Sequence, residues 1–303
     1  MVGFVFYMHT ESNNSAPLRV AIQGVAGCFH DAAAREYFDA AGRQIETVEF
    51  DTFNDLFEAV RFDASLVGIV AIENTIAGSL LGNHELLRAS DLRIIGEHRK
   101  RISHVLCALP GTTLESVTEV NSHPMALMQC EQWLRQHRMK MVEHFDTAGS
   151  ARDIARDHLA GHAAVCGNYA ARLYGLDILA EGIETNKRNF TRFLIVADAV
   201  KAAEIAPRRS ECDKASILFT LPHTRGALSK ILTILAFYDI NLTKIQSMPI
   251  IGREWEYRFY VDVTFDDPVR YHQAVEAIRP LLNDFRTLGK YKSAETPAED
   301  YGN

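Results

Sequence analysis

The 303-residue sequence is short of several things, and each shortage removes a class of function. It has no apolar run near the roughly 18 residues that a membrane helix requires. Its five cysteines (Cys28, Cys107, Cys130, Cys166, Cys212) are widely spaced, odd in number and form no CxxC, which argues against a disulfide framework or a thiolate metal site and for a reducing cytoplasm. Basic charge is in deficit: the net charge is -7 and the pI about 5.9, so nucleic acid is disfavoured as the main partner, because phosphate binding needs a basic surface. There is no P-loop, no GxGxxG and no Ser-His-Asp pattern. The opening MVGFVFYMHTESNNSAP lacks the basic n-region of a signal peptide, and residues 1–17 are expected to be a poorly ordered leader.

What is present is an ordinary globular composition, 47% hydrophobic and 23% charged, with length for about two domains. From Leu18, short apolar runs alternate with helical spacing: LRVAIQ, a helix from Asp31, IETVEF, FNDLFEAVRF and the wholly apolar ASLVGIVAIEN. Such alternation indicates α/β layering with a buried parallel sheet. The alternation continues to Val196, so residues 18–198 hold two strand–helix groups, read as two lobes. An alanine-rich, charged stretch broken by Pro207 follows as a linker. Residues 214–291 then read as βαββαβ, with Trp255, Tyr257, Phe259, Val261, Val263 and Phe265 alternating onto one face of a strand. The tail SAETPAEDYGN is expected to be disordered.

Five loops place small, hydrogen-bonding residues just after apolar strands, where open α/β sheets bind ligands. They are residues 24–30 (GVAGCFH), 73–79 (ENTIAGS), 121–130 (NSHPMALMQC), 146–150 (DTAGS) and 189–193 (NFTRF). Each alone is an ordinary turn or helix cap; together they describe a cleft of amides and hydroxyls suited to a small carboxylated substrate. The last loop poses a question. Thr191 and Arg192 sit between two phenylalanines at the mouth of an apolar strand. A buried guanidinium needs an anion, either a carboxylate of the chain or an anionic ligand.

IENT, GS, SHP, LAEGI and above all NFTRF, in this order and spacing, resemble the prephenate dehydratase family, and Lys214 to Tyr291 resembles the ACT regulatory domain that often follows it. The resemblance spans about residues 18–291. It implies a two-lobed, periplasmic-binding-protein-like catalytic domain over 18–198 and a ferredoxin-like ACT domain over 214–291. The implied reaction is the decarboxylating dehydration of prephenate to phenylpyruvate, in phenylalanine biosynthesis, with no cofactor and no metal. Thr191 would serve the departing hydroxyl and Arg192 a substrate carboxylate; Asn74, Thr75, Ser79, Ser122, Gln129, Thr147 and Phe193 would complete the substrate site. If Arg192 serves the substrate, Arg192→Lys should raise KM.

The resemblance further implies phenylalanine as an effector at Gly226, Ala227, Leu228, Asn241 and Leu242, and a homodimer or homotetramer in the cytoplasm. Two motifs depart from the family's pattern. The first loop usually reads GPxGTFS, where this chain has Cys28 and His30; and the effector motif ESRP reads Gln246-Ser247-Met248-Pro249. The alternatives are arogenate as substrate, which bears an amine where prephenate has a ketone, or a non-catalytic amino-acid sensor.

Overall fold

The computed structural model describes residues 16–294. The expectations for the leader and the tail fall almost wholly outside them. In chain order, β1 (Leu18–Gln23), α1 (Phe29–Ala40), β2 (Ile45–Phe50), α2 (Phe53–Phe62), β3 (Leu66–Asn74), the two-residue β4 (Gly78–Ser79), α3 (Leu81–Ser90) and β5 (Arg93–Arg101) build a first lobe. The chain then crosses into a second lobe of β6 (Val105–Ala108), β7 (Glu119–Ser122), α4 (Pro124–Gln136), β8 (Lys140–Glu143), α5 (Thr147–Asp157), β9 (His162–Cys166), α6 (Asn168–Leu173) and β10 (Asp177–Glu181). It returns to the first lobe in β11 (Phe190–Ala197).

Local chemistry explains the punctuation. Thr52 caps α2 by accepting from the Asp55 N–H, Asp146 caps α5 through Gly149, and Pro124 occupies the first turn of α4, where its missing N–H costs nothing. β3 is buried along most of its length because helices cover both of its faces.

Two short crossings join the lobes, 102–104 outward and 182–189 back. They are tied to each other: Ile102 N–H donates to the Asn189 carbonyl at 2.7 Å, and Ile183 N–H to the His104 carbonyl at 3.1 Å. β11 lies antiparallel between β3 and β5, with Thr191 opposite Asn74 and Arg192 opposite Glu73. Neighbouring strand residues face opposite sides of a sheet. Thr191 and Phe193 therefore share one face, and Arg192 and Leu194 the other.

After α7 (Ala199–Ile205), a C-terminal unit runs β12 (Lys214–Thr220), α8 (Ala227–Phe237), β13 (Asn241–Pro249), β14 (Tyr257–Thr264), α9 (Pro268–Ile278) and β15 (Asp284–Tyr291). Its antiparallel sheet has order β13-β14-β12-β15, and α8 and α9 pack on one face around Ile217, Ile231, Val261 and Ile278. The unit is less separate than its sequence suggests. β15 pairs in parallel with β5 at Gly289 and Ile94, so one sheet runs unbroken through both units. The approach is close enough that a Cβ on Gly289 would stand 2.1 Å from the Ile94 carbonyl oxygen.

Two further expectations are corrected. Trp255 is not part of the alternating strand: it sits in a turn at φ 62°, exposed, and β14 starts at Tyr257. The start of the C-terminal tail is anchored, with Ser293 N–H donating to Asp213 at 2.6 Å and Ala294 N–H to Glu97 at 2.9 Å.

Candidate active site

A cleft of about 320 Å3 lies between the lobes where the chain crosses. Each of the five loops contributes to its lining: Cys28 and His30 from the first, Asn74 and Ala77 from the second, His123 and Gln129 from the third, Asp146 and Thr147 from the fourth, Thr191 and Phe193 from the last. Three helices present their first residues to this space, α1 through Phe29, α4 through Met125 and α5 through Thr147. Cys28 makes no side-chain cap bond to α1. Among the described lining residues none is lysine or arginine, so the positive field for an anionic ligand comes from helix N-termini, each equivalent to roughly half a charge.

One hydrogen-bond chain fixes the floor of the cleft, and its polarity can be read from groups that only donate. The N–H groups of Ile76 and Ala77 both donate to Asn74 Oδ1 at 2.9 Å. Asn74 must then present its Nδ2 to the rest, and it donates to Thr191 Oγ1 at 2.9 Å and Asn189 Oδ1 at 2.7 Å. Asn189 Nδ2 in turn donates to Gln129 Oε1 at 3.0 Å, which also receives His104 Nε2 at 3.0 Å. Two consequences follow. The Thr191 oxygen accepts from Asn74, leaving its own proton free to point into the cleft. The Gln129 oxygen is occupied, leaving its NH2 group to donate.

Burial shifts the titratable groups here towards their neutral forms. Burial lowers His30 to about 4 and also lowers His104, whose Nδ1 is buried without a partner. Burial pushes the Cys28 thiol well above its ordinary value, so it is not a thiolate nucleophile. Burial also raises Asp146, although the N–H groups of Gly149 and Ala148 partly offset this.

The structure brings Thr191, Asn74, Gln129, Thr147 and Phe193 to one cleft and turns four expected site residues away from it. Arg192 is the main correction. Its guanidinium points through the sheet to the C-terminal unit, where Nε meets Glu97 at 2.6 Å, Nη1 meets Asp262, and Nη2 donates to Tyr291 at 3.0 Å. Lys214 Nζ completes the cluster at 2.9 Å from both Glu97 oxygens. The carboxylates that answer the guanidinium therefore belong to the chain. Ser122 is fully buried and donates to the Val165 carbonyl at 2.5 Å, holding β7 to β9. Thr75 clasps the second crossing through Arg188 and Phe190, and Ser79 receives Lys244 Nζ of β13 at 2.7 Å.

The expected effector residues also divide. Ala227 and Leu228 line a hollow of about 140 Å3 with Pro222, Thr224 and Tyr257, and Gly226 stands beside it at φ +75°, the N-cap of α8. Asn241 and Leu242 lie apart from that hollow at the start of β13, Leu242 packing into the core of the C-terminal unit.

Asn189, His104 and Asp146 are not among the site residues expected from the sequence, although Asn189 and Asp146 lie within the five loops. The signal for Asn189 was its place at the head of NFTRF, one residue before a strand. His104 carries no local signal, since its role comes from a contact with α4 that is distant in sequence.

Fold and site together define a two-lobed α/β protein with a polar interlobe cleft and an appended βαββαβ unit. Residues 20–201 match the family model described as prephenate dehydratase. Arogenate dehydratase 1 of Petunia hybrida is 37% identical, the alignment covering 94% of this chain and 69% of that protein. A prephenate dehydratase of Arthrobacter aurescens, solved in complex with L-Phe, superposes with TM-score 0.78 at 30% identity, over 90% of this chain and 89% of that one. GqqA, described as a novel type of quorum quenching acylase, superposes with TM-score 0.80 at 29% identity, over 92% of this chain and 98% of that one. The chain belongs to the prephenate dehydratase family, whose members are lyases of aromatic amino acid biosynthesis.

Proposed function

We propose that the chain removes water and carbon dioxide from a prephenate-type cyclohexadienol, giving phenylpyruvate from prephenate or phenylalanine from arogenate. The carrying observation is the Asn74–Thr191 hydrogen bond, which makes the threonine oxygen an acceptor and leaves its proton for the departing hydroxyl. The ring C–OH bond breaks as that oxygen takes a proton relayed from solvent through Thr191, and water leaves. The ring carboxylate departs as carbon dioxide, and its C–C bonding pair closes the aromatic sextet. Aromatisation supplies the driving force. A threonine hydroxyl is a weak acid, so its contribution is a positioned hydrogen bond that strengthens as charge develops on the leaving oxygen. The N-termini of α1, α4 and α5 supply oriented N–H groups for the carboxylates, the work first expected of Arg192.

The C-terminal unit is proposed as an ACT regulatory domain with phenylalanine as effector in the hollow beside Gly226, and the whole chain as a homodimer or homotetramer. Support comes from the βαββαβ order and from the L-Phe complex of the Arthrobacter relative. A cytoplasmic location rests on the thiol usage: all five cysteines are free and buried.

The test is direct. Purified protein is incubated separately with prephenate and arogenate, and phenylpyruvate and phenylalanine are quantified, with and without added phenylalanine in the prephenate reaction. Product from either substrate supports the reading. Tight binding of both without turnover replaces it with a sensor.

A further inference from the structure

Asp146 is the one carboxylate among the described residues that line the cleft, and no lysine or arginine lines it. Its Oδ1 is occupied, accepting the Gly149 N–H at 2.7 Å as the cap of α5. Its Oδ2 reaches from the second lobe towards the end of β1 in the first, so close that a Cβ on Gly24 would stand 2.9 Å away. Neither nearby imidazole has a hydrogen bond to the Asp146 carboxylate among those described. His144 Nε2 lies 3.1 Å from Asp153 and its Nδ1 faces the Asp146 backbone, 2.9 Å from the carbonyl oxygen and 3.3 Å from the N–H, while His123 Nδ1 accepts the Met125 N–H at 3.2 Å. Burial raises the carboxyl's pKa, and the Gly149 and Ala148 N–H groups, with His144 and His123 acting through space, offset this only in part.

The two substrates of the proposed reaction differ at one position. Both carry two carboxylates, which the helix N-termini suit. Prephenate adds a ketone, with nothing to offer a carboxylate but lone pairs. Arogenate adds an α-ammonium. With prephenate bound, Asp146 would be a third acidic group in a space lined by no lysine or arginine; with arogenate bound, it gains a cationic partner.

We propose that Asp146 is a specificity-determining residue whose Oδ2 receives the substrate's α-ammonium, so that the cleft selects the amino-bearing member of the pair. The inference rests on the dehydratase reading above and goes beyond it by assigning the substrate and the residue that chooses it. The chemistry balances: arogenate yields phenylalanine, carbon dioxide and water, with the ammonium a spectator.

The experiment compares kcat/KM for arogenate and prephenate in the wild type and in Asp146→Asn. Asparagine caps a helix as well as aspartate, so α5 keeps its N-terminal bond while the charge is lost. Wild-type protein should prefer arogenate by at least tenfold. Asp146→Asn should lower kcat/KM for arogenate by roughly 10- to 100-fold, the range of a hydrogen bond to a charged group, mainly through KM. Prephenate turnover should stay within about threefold or rise. An equal loss on both substrates would make Asp146 a structural cap and overturn the proposal. So would a wild-type preference for prephenate, which needs no variant to fold. Wild-type protein inert on both substrates would instead overturn the dehydratase reading itself.

Discussion

Removing the Arg192 guanidinium should cost stability rather than substrate affinity. The cluster it belongs to holds two cations, Arg192 and Lys214, and two carboxylates, Glu97 and Asp262, all nearly inaccessible to solvent. Formal charge is balanced. Arg192→Met keeps much of the aliphatic stem but removes the bonds to Glu97, Asp262 and Tyr291 together. It leaves two buried carboxylates against one ammonium, with Asp262 holding only the Ser216 hydroxyl as a direct side-chain partner. Breaking a buried pair from one side typically costs about 3–5 kcal/mol, because the survivor is stranded. Burial also opposes the Lys214 charge, so the remaining ammonium is a poor substitute.

The assay is urea unfolding followed by circular dichroism, read beside steady-state kinetics at a temperature where the variant stays folded. Stability should fall by about 3–5 kcal/mol while KM changes less than about threefold. Adding Asp262→Asn should recover part of the loss, since it restores charge balance, and the pair should be strongly non-additive. Arg192→Lys should fall between, because one ammonium cannot span Glu97, Asp262 and Tyr291 at once. An unchanged unfolding midpoint with a KM raised tenfold or more would refute this reasoning and return the guanidinium to the cleft.

Thr191→Ala should lower kcat by about 10²–10³-fold with little change in KM, and Thr191→Ser should retain most of the activity; kinetics on the better substrate decides it. Gly289→Ala would force β15 away from the Ile94 carbonyl and should destabilise the chain by about 1–3 kcal/mol, measured by urea titration. His30 is folded as a neutral imidazole with its pKa lowered to about 4 from 6.5, so the unfolded chain binds more protons between those values. Its contribution is fully present above pH 6.5 and is lost as pH falls towards 4. Part of the ring is open to the cleft, so the loss should be about 1–3 kcal/mol. His30→Asn should flatten that part of the stability–pH curve.

The parts of the fold legible in the sequence were those with a local cause. β1, β2 and α2 follow from short apolar runs and helical spacing over six to ten residues. The cleft was legible as five loops, because glycine, asparagine, serine, threonine and proline after an apolar strand report turn and cap geometry whatever they go on to bind. What stayed hidden was set by distant partners. Arg192 meets Glu97, Asp262 and Tyr291 across 95, 70 and 99 positions, and no local pattern links such residues. The seam with the C-terminal unit was missed for the same reason: a single glycine, ordinary in sequence, permits the two sheets to merge. Ser122 was misplaced because a hydroxyl at a strand end can serve a ligand or the next strand equally well, and only the packing against Val165 decides.

The motif NFTRF makes sense once its two middle residues are assigned to opposite faces. Thr191 faces the cleft, held by Asn74 on β3; one residue on, Arg192 faces the C-terminal unit, held by Glu97 on β5 and Asp262 on β14. The peptide between them is thereby gripped from both sides. A shift of β14 relative to the first lobe must either break a buried, charge-assisted contact or carry the start of β11 with it, and the Thr191 hydroxyl is the next side chain along. The hydrogen-bond chain from Asn74 through Asn189 to Gln129 ties that same point to the second lobe. Three structural units therefore converge within four residues of chain, Asn189 tied to the second lobe, Thr191 to the first and Arg192 to the C-terminal unit. Strand alternation is what allows a buried arginine to serve stability without occupying the substrate's space. It also explains why the two substitutions should separate cleanly, position 191 in kcat and position 192 in unfolding.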